Sequence, residues 1–196
     1  MLQTPDSDLS TDLVFSYENG DLSDFENKVN IEASFNNSII STTDLNNFYD
    51  EFGLGSKFNI SGDLKGTLND FSLTNGVVTG ISDSRIRGDL QFYNAVDSEN
   101  FQLQTDKVTV ISNYEDLKRL LPNVFGENAP LFIQRLGKFS LTGKTYINTD
   151  DINAELYLTS NNGEGIVSID FKNINDEDNV QYKGLLDLKQ LNIGQL

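Results

Sequence analysis

The 196-residue sequence has no cysteine, no histidine and no tryptophan, and only 14 basic residues stand against 30 acidic ones. Without cysteine there are no disulfides and no thiolate sites. Without histidine the commonest general base and metal ligand is missing too. The net charge of −16 excludes the clustered lysine and arginine that grip phosphate, and with them nucleic-acid binding. This charge is spread along the chain rather than gathered in a tail, which is a solubility pattern. No run reaches the roughly 18 apolar residues of a membrane-crossing helix, and no basic stretch followed by an apolar one opens the chain. The expectation is a soluble chain that carries no address of its own.

What is present is alternation. After a polar lead-in over residues 1–9, read as disordered, apolar residues recur at every second position, the period of a strand with one wet side. Leu13, Phe15 and Tyr17 come first, then a turn at Asn19-Gly20, then Val29, Ile31, Ala33 and Phe35. Phe58, Ile60, Leu64 and Leu68 share a face with Gly62 and Gly66. Phe71, Leu73 and Val77 follow, with Asn75-Gly76 read as the start of a turn. From Arg85 to Tyr93 the pattern is cleanest, with Ile86, Gly88, Leu90 and Phe92 on one side. Phe101 and Leu103 then give way to Val108 and Val110. Parity changes near Asp106-Lys107, which predicts a bulge or a tight turn. Four further strands carry Phe139, Leu141, Thr145 and Ile147; Ile152, Ala154, Leu156 and Leu158; Val167, Ile169 and Phe171; and Val180, Tyr182, Leu186 and Leu188.

Two stretches break the period and echo each other. Ser41–Phe52 places Leu45, Phe48 and Phe52 at helical spacing, with Ser41 or Thr43 as cap and Gly53 and Gly55 as stops. Ser112 and Glu115 form a capping box for a helix carrying Tyr114, Leu117, Leu120 and Leu121, ended by Pro122. A second short helix is predicted from Pro130 through Leu136, with Gly137 as its stop. The Asp-Leu pairs at Asp44 and Asp116 are 72 positions apart. The strands Phe58–Gly62 and Phe139–Gly143, with the turns that follow them, are 81 apart. An insertion near Asn128–Leu136 accounts for the difference, so the chain reads as an internal repeat with units at about 41–111 and 112–196. Residues 10–196 form a single β fragment. Leu188–Leu196 resembles the approach to another such helix, so the expectation is a piece of a longer protein.

No set of side chains here carries catalytic chemistry. The acidic run Asp176-Glu177-Asp178 lacks the spaced ligands and closing glutamate of a calcium loop and reads as a solvated turn. Asp150-Asp151 reads as turn chemistry, because neighbouring strand residues face opposite ways. Gly53-Leu54-Gly55 and Gly163-Glu164-Gly165 read as turns, since no phosphate-binding helix follows them. Arg85 and Arg87 lie on the polar face and are expected to pair with an acidic neighbour across the sheet. The reading is of a non-enzyme with no catalytic residue, no metal and no cofactor.

Nine or ten strands with one apolar face need cover that helices about 15 Å long cannot supply. The fold expected is mainly β: a curled, open-sided antiparallel groove built from repeats, with two or three short helices, or else a closed β-sandwich. In the groove, the lining is Phe58, Ile60, Leu64, Ile86, Leu90, Phe92, Phe101, Leu103, Phe139, Leu141, Leu156, Leu158, Val167, Ile169 and Phe171. Each methylene that such a lining takes from water is worth about 0.8 kcal/mol, so an acyl chain is favoured without a specific polar contact.

The run Asn113-Tyr114-Glu115-Asp116-Leu117-Lys118-Arg119-Leu120-Leu121-Pro122, then Leu136-Gly137-Lys138-Phe139-Ser140-Leu141-Thr142-Gly143, then Ala154–Ser160 and Tyr182-Lys183-Gly184, resembles the TamB (translocation and assembly module, AsmA-like) family of Bacteroidota. The likeness covers about Thr43 to Leu196. It implies a middle segment of a long β-groove in an inner-membrane-anchored, periplasm-spanning envelope protein. The activity implied is transport of phospholipid between inner and outer membranes. The partners implied are a phospholipid or other acyl-chain ligand and, through regions outside this chain, the outer-membrane assembly machinery. The alternative is a scaffold or chaperone in outer-membrane protein assembly and secretion, working through exposed strand edges.

Overall fold

The period-two stretches hydrogen-bond to one another in chain order. In the computed structural model, which describes residues 2–47, 52–122, 134–174 and 178–189, twelve strands form one open antiparallel sheet. The nine long ones are β4 (Asn30–Ser41), β5 (Lys57–Gly66), β6 (Phe71–Ile81), β7 (Ser84–Tyr93), β8 (Gln102–Ser112), β9 (Phe139–Asn148), β10 (Ile152–Ser160), β11 (Gly163–Lys172) and β12 (Gln181–Lys189). Each pairs with the next. The short strands β1 (Leu2–Gln3), β2 (Asp8–Leu9) and β3 (Thr11–Ser16) cover the outer side of β4: β2 meets it at Ile39 and β3 along Asn30–Phe35. One continuous sheet forms, rather than a barrel or the two separate sheets of a sandwich.

Several expectations need correction. In the lead-in, residues 2–9 join the sheet through β1 and β2, and the Thr4 and Ser7 hydroxyls find a carboxylate far along the chain. Asp21–Lys28 forms a 3-10 turn (Asp21–Asp24) followed by one α turn, α1 (Phe25–Lys28). The first Asp-Leu helix, α2, is a single turn (Thr42–Leu45), capped where Thr43 N donates to Ser41 Oγ; positions 48–51 lie outside the described residues. In the second, α3 (Tyr114–Leu120), the cap is Asn113, whose Oδ1 accepts from Asp116 N at 2.9 Å. Ser112 is spent as the last residue of β8. The helix predicted over 130–136 falls mostly outside the described residues, as do Asp176-Glu177 and 190–196. Asn75-Gly76 lies within β6, Gly163–Gly165 opens β11, and Leu68 is an exposed turn residue beyond β5.

The parity change at Asp106-Lys107 is a bulge, with β8 shifting register against β9 between Thr105 and Val108. β4 and β6 do the same, at Phe35–Ser38 and Leu73–Gly76. An extra residue leaves an amide without a ladder partner. In both strands a neighbour supplies the acceptor: Asn37 N donates to Ser61 Oγ at 2.9 Å, and Asn75 N to Asp89 Oδ1 at 2.7 Å. Both asparagines have positive φ (54° and 53°), which asparagine tolerates better than most residues.

The two Asp-Leu helices are tied down alike. Asp116, 3% exposed, accepts from Ser84 Oγ at 2.8 Å and Asn113 Nδ2 at 2.9 Å, and Ser84 also bonds Ser112 at 2.7 Å. Asp44 accepts from Thr4 Oγ1 at 2.6 Å and from Ser7 Oγ, while Ser7 Oγ accepts from Ser41 N. In each case the start of an adjacent strand is fastened to the first turn of the helix. Gly53 N donates to Leu120 O at 2.9 Å, so the segment after α2 satisfies a terminal carbonyl of α3.

The Ser7 and Thr4 hydroxyls, then the Lys57 charge, hold the Asp44 carboxyl below its ordinary value of 3.8. A lowered folded-state value contributes stability above that pH, which is lost as the pH falls through the folded value. Asp44→Asn is expected to lower the melting temperature at neutral pH. Its gap from the parent chain should close as the pH drops below 3.8. A gap independent of pH would show that the clamp does not depend on the carboxylate charge. Thermal melts over a pH series measure it.

Candidate functional site: one apolar face

Residues directly opposite across antiparallel strands share a face, so the register tells which side chains stand together. One row runs Ile31, Gly66, Phe71, Phe92, Leu103, Ile147, Ile152, Phe171, Tyr182 across β4 to β12. A parallel row runs Ser38, Ile60, Val78, Ile86, Val110, Leu141, Leu158, Gly165, Leu188. Between them, Leu64 pairs with Leu73 and Leu73 with Leu90, and Gly143 pairs with Leu156, which pairs with Val167. Nine strands about 4.8 Å apart make each row roughly 40 Å long.

Fourteen of the fifteen predicted lining residues stand in strands on this face. Phe58 is opposite Ile40, Phe139 opposite Ser112 and Ser160, and Ile169 opposite Ala154. Phe101 precedes β8 and joins through its ring, 6.4 Å from that of Phe92. Phe92 in turn stacks on Phe71 at 4.6 Å. Sequence reasoning left β3 out of the lining. Leu13 opposite Ala33 and Phe15 opposite Ile31 extend the face by one more strand.

The margins of the face differ. At the helix-bearing end Leu136, Phe139 and Leu158 form a buried cluster, with Leu117 of α3 packed against it. A half-open recess of about 30 Å³ there is lined by Val78, Ile86, Val110, Leu117 and Leu120, with Arg85 and Asp116 at it. At the other end the strands turn through polar loops. In the loop after β9, Asn148 Oδ1 accepts from the amides of Asp150 and Asp151 at 2.8 and 2.6 Å, the turn role expected of that pair.

Charge stays on the opposite face. Lys65 pairs with Glu32 at 2.8 Å and Lys144 with Glu155 at 2.9 Å. Arg85 and Arg87 lie there too, but among the described residues the expected ion pair does not form. Their cross-strand neighbours are Thr79 and Ile111, and Val77 and Thr109, which offer no carboxylate.

Two features of the apolar face were not legible from alternation. Glycine stands where neighbouring backbone crowds in: a Cβ on Gly143 would lie 2.0 Å from the Glu155 carbonyl oxygen, and one on Gly88 2.7 Å from that of Lys107. Thr105, opposite Thr145, is buried, and its Oγ1 has no hydrogen-bond partner. The chain matches no protein-family model, no curated protein and no solved structure.

An orphaned buried hydroxyl costs about 1–3 kcal/mol. Thr105→Val keeps the shape and the β-branch while removing that hydroxyl, and is expected to stabilise the chain by about 1 kcal/mol. Urea unfolding followed by circular dichroism checks this. A loss of stability would mean that the hydroxyl has a partner after all.

Proposed function

We propose that this chain is a lipid-contacting segment of a cell-envelope transport protein, its sheet curled over its apolar face as a groove for phospholipid acyl chains. The observation that carries the reading is the uncharged face itself. From β5 to β12 its paired positions hold no Asp, Glu, Lys or Arg, although the chain has 44 such residues. The longest described helix has seven residues, about 10 Å, against a face roughly 40 Å across. Leu73 and Ala154, well away from α3, are nevertheless 4% and 3% exposed. A flat single layer would leave them open, so their burial supports curling, as do the bulges, which bend and twist the strands that carry them. The groove would be longer than the roughly 15 Å of one leaflet's hydrocarbon.

The likeness to TamB-type proteins fits this reading, with the matching Asp–Ser clamps at α2 and α3 as joints between repeat units. The location proposed is the periplasm, within a longer inner-membrane-anchored protein; no described helix is itself long and apolar enough to cross a membrane. A second reading, a scaffold for β-rich outer-membrane proteins, draws on the exposed edge strand β12.

A photo-crosslinking residue at Leu90 or Leu156 is expected to capture phospholipid in cells, and one at Tyr157, on the opposite face, to capture none. Leu90→Arg should abolish lipid co-purification, read by mass spectrometry of extracts, while the strand signal in circular dichroism persists. Absence of lipid at both interior positions would overturn the reading.

A further inference from the structure

The two edges of the sheet are built differently. On the β4 side, two short strands, β2 and β3, take up the outer ladder. On the other side β12 is nine residues long, and among the described residues no strand lies beyond it. Seven consecutive positions, Gln181 to Asp187, are exposed. Tyr182 is 69% and Leu185 62% exposed, the latter on the face that carries the charges. A long, open, partly apolar edge is a template for another strand.

We propose that β12 pairs with β12 of a second copy of this chain, antiparallel about a two-fold axis through Leu185. The residues themselves select that occupant and that register. In an antiparallel pair centred on Leu185, Lys183 of each copy stands opposite Asp187 of the other, giving two opposite-charge pairs. Neither residue makes an ion pair among the described residues of its own chain. Leu185 meets its own copy, so an apolar side chain stranded on the polar face is covered. On the apolar face Tyr182 meets Leu188. Leu186 meets Gly184, where a side chain would find open space and only the Ser168 oxygen at 3.9 Å.

Neighbouring registers lose this match. Centring on Gly184 sets Leu185 against Lys183. Centring on Leu186 sets Lys183 against Lys189, a like-charge pair that destabilises a ladder. A shift by half a step sets the outward amides of one copy against residues of the other whose amides turn to β11, so no ladder forms. The favoured register keeps both faces on one side, so the apolar rows run on from one copy into the next. The pairing concerns the 196-residue chain with β12 uncovered, and it stands whether or not the apolar face takes a lipid.

The test uses the full 196-residue chain in lipid-free buffer, followed by sedimentation velocity over a concentration series. The parent chain is expected to dimerise. Lys183→Asp and Asp187→Lys each set two like charges opposite each other, and each should weaken the dimer about tenfold or more. An equimolar mixture of the two variants should restore it, because every pair then regains opposite signs. Since the chain has no cysteine, Leu185→Cys supplies a single thiol that should oxidise to a covalent dimer. Circular dichroism of each variant confirms that the strands are kept. A parent chain that stays monomeric, a dimer indifferent to both reversals, or a mixture that fails to restore it would each overturn the proposal.

Discussion

The structure depends on register. A one-residue slip between two strands carries a whole apolar set to the wrong side, and here eight successive pairings from β4 to β12 must agree before one face is uncharged. They agree although the strands do not keep strict parity. Ala33 and Ser38, Leu73 and Val78, and Leu103 and Val108 are each five residues apart, yet each pair ends on the same face. One inserted residue apiece in β4, β6 and β8 absorbs the difference, while the intervening strands β5 and β7 run regularly. The bulges are therefore what allows an uneven sequence to present an even surface.

Those insertions fall at similar heights on alternate strands, beside Gly62, Gly76 and Gly88. Gly62 and Gly76 approach so closely that a Cβ on the first would lie 3.1 Å from the Cα of the second. A side chain at this line would push neighbouring strands apart just where they bend. The glycines and bulges act together: the insertion turns the strand, and the missing side chain lets the next strand follow. From β9 to β12 no register shift occurs, so the bulges are confined to the first two thirds of the sheet.

Much of this was legible in the amino-acid order, because alternation is a local signal. The long strands and the shared face of fourteen of the fifteen predicted residues follow from it, and so does the parity change between Leu103 and Val108, read as a bulge or a tight turn, which is a bulge. The bulges in β4 and β6 were hidden because Asn36-Asn37 and Asn75-Gly76 are also what a turn looks like. Only Ser61 and Asp89, on neighbouring strands, show that the chain carries on. The same limit explains the lead-in. Residues 2–9 have little apolar content of their own, and Asp44, some forty positions away, holds them in the sheet. Arg85 and Arg87 were placed on the correct face but with the wrong neighbours, since opposite partners depend on register rather than on the strand's own pattern. No local sign marked Thr105 as an orphan either; that follows from Thr145 and the burial around it.

The distribution of charge bears most directly on what the face can bind. Ionisable side chains make up 22% of the residues, and along the rows from β5 to β12 the only titratable group is the phenol of Tyr182. An apolar ligand would meet neither a repelling charge nor an attracting one. Its affinity would scale with the area it covers, about 25 cal/mol per Å², rather than with a fit at any one residue. A charged headgroup gains nothing on this face and would stay at its margins. There, at the end away from the helices, polar loops carrying Glu99, Asp150 and Asp151 face solvent.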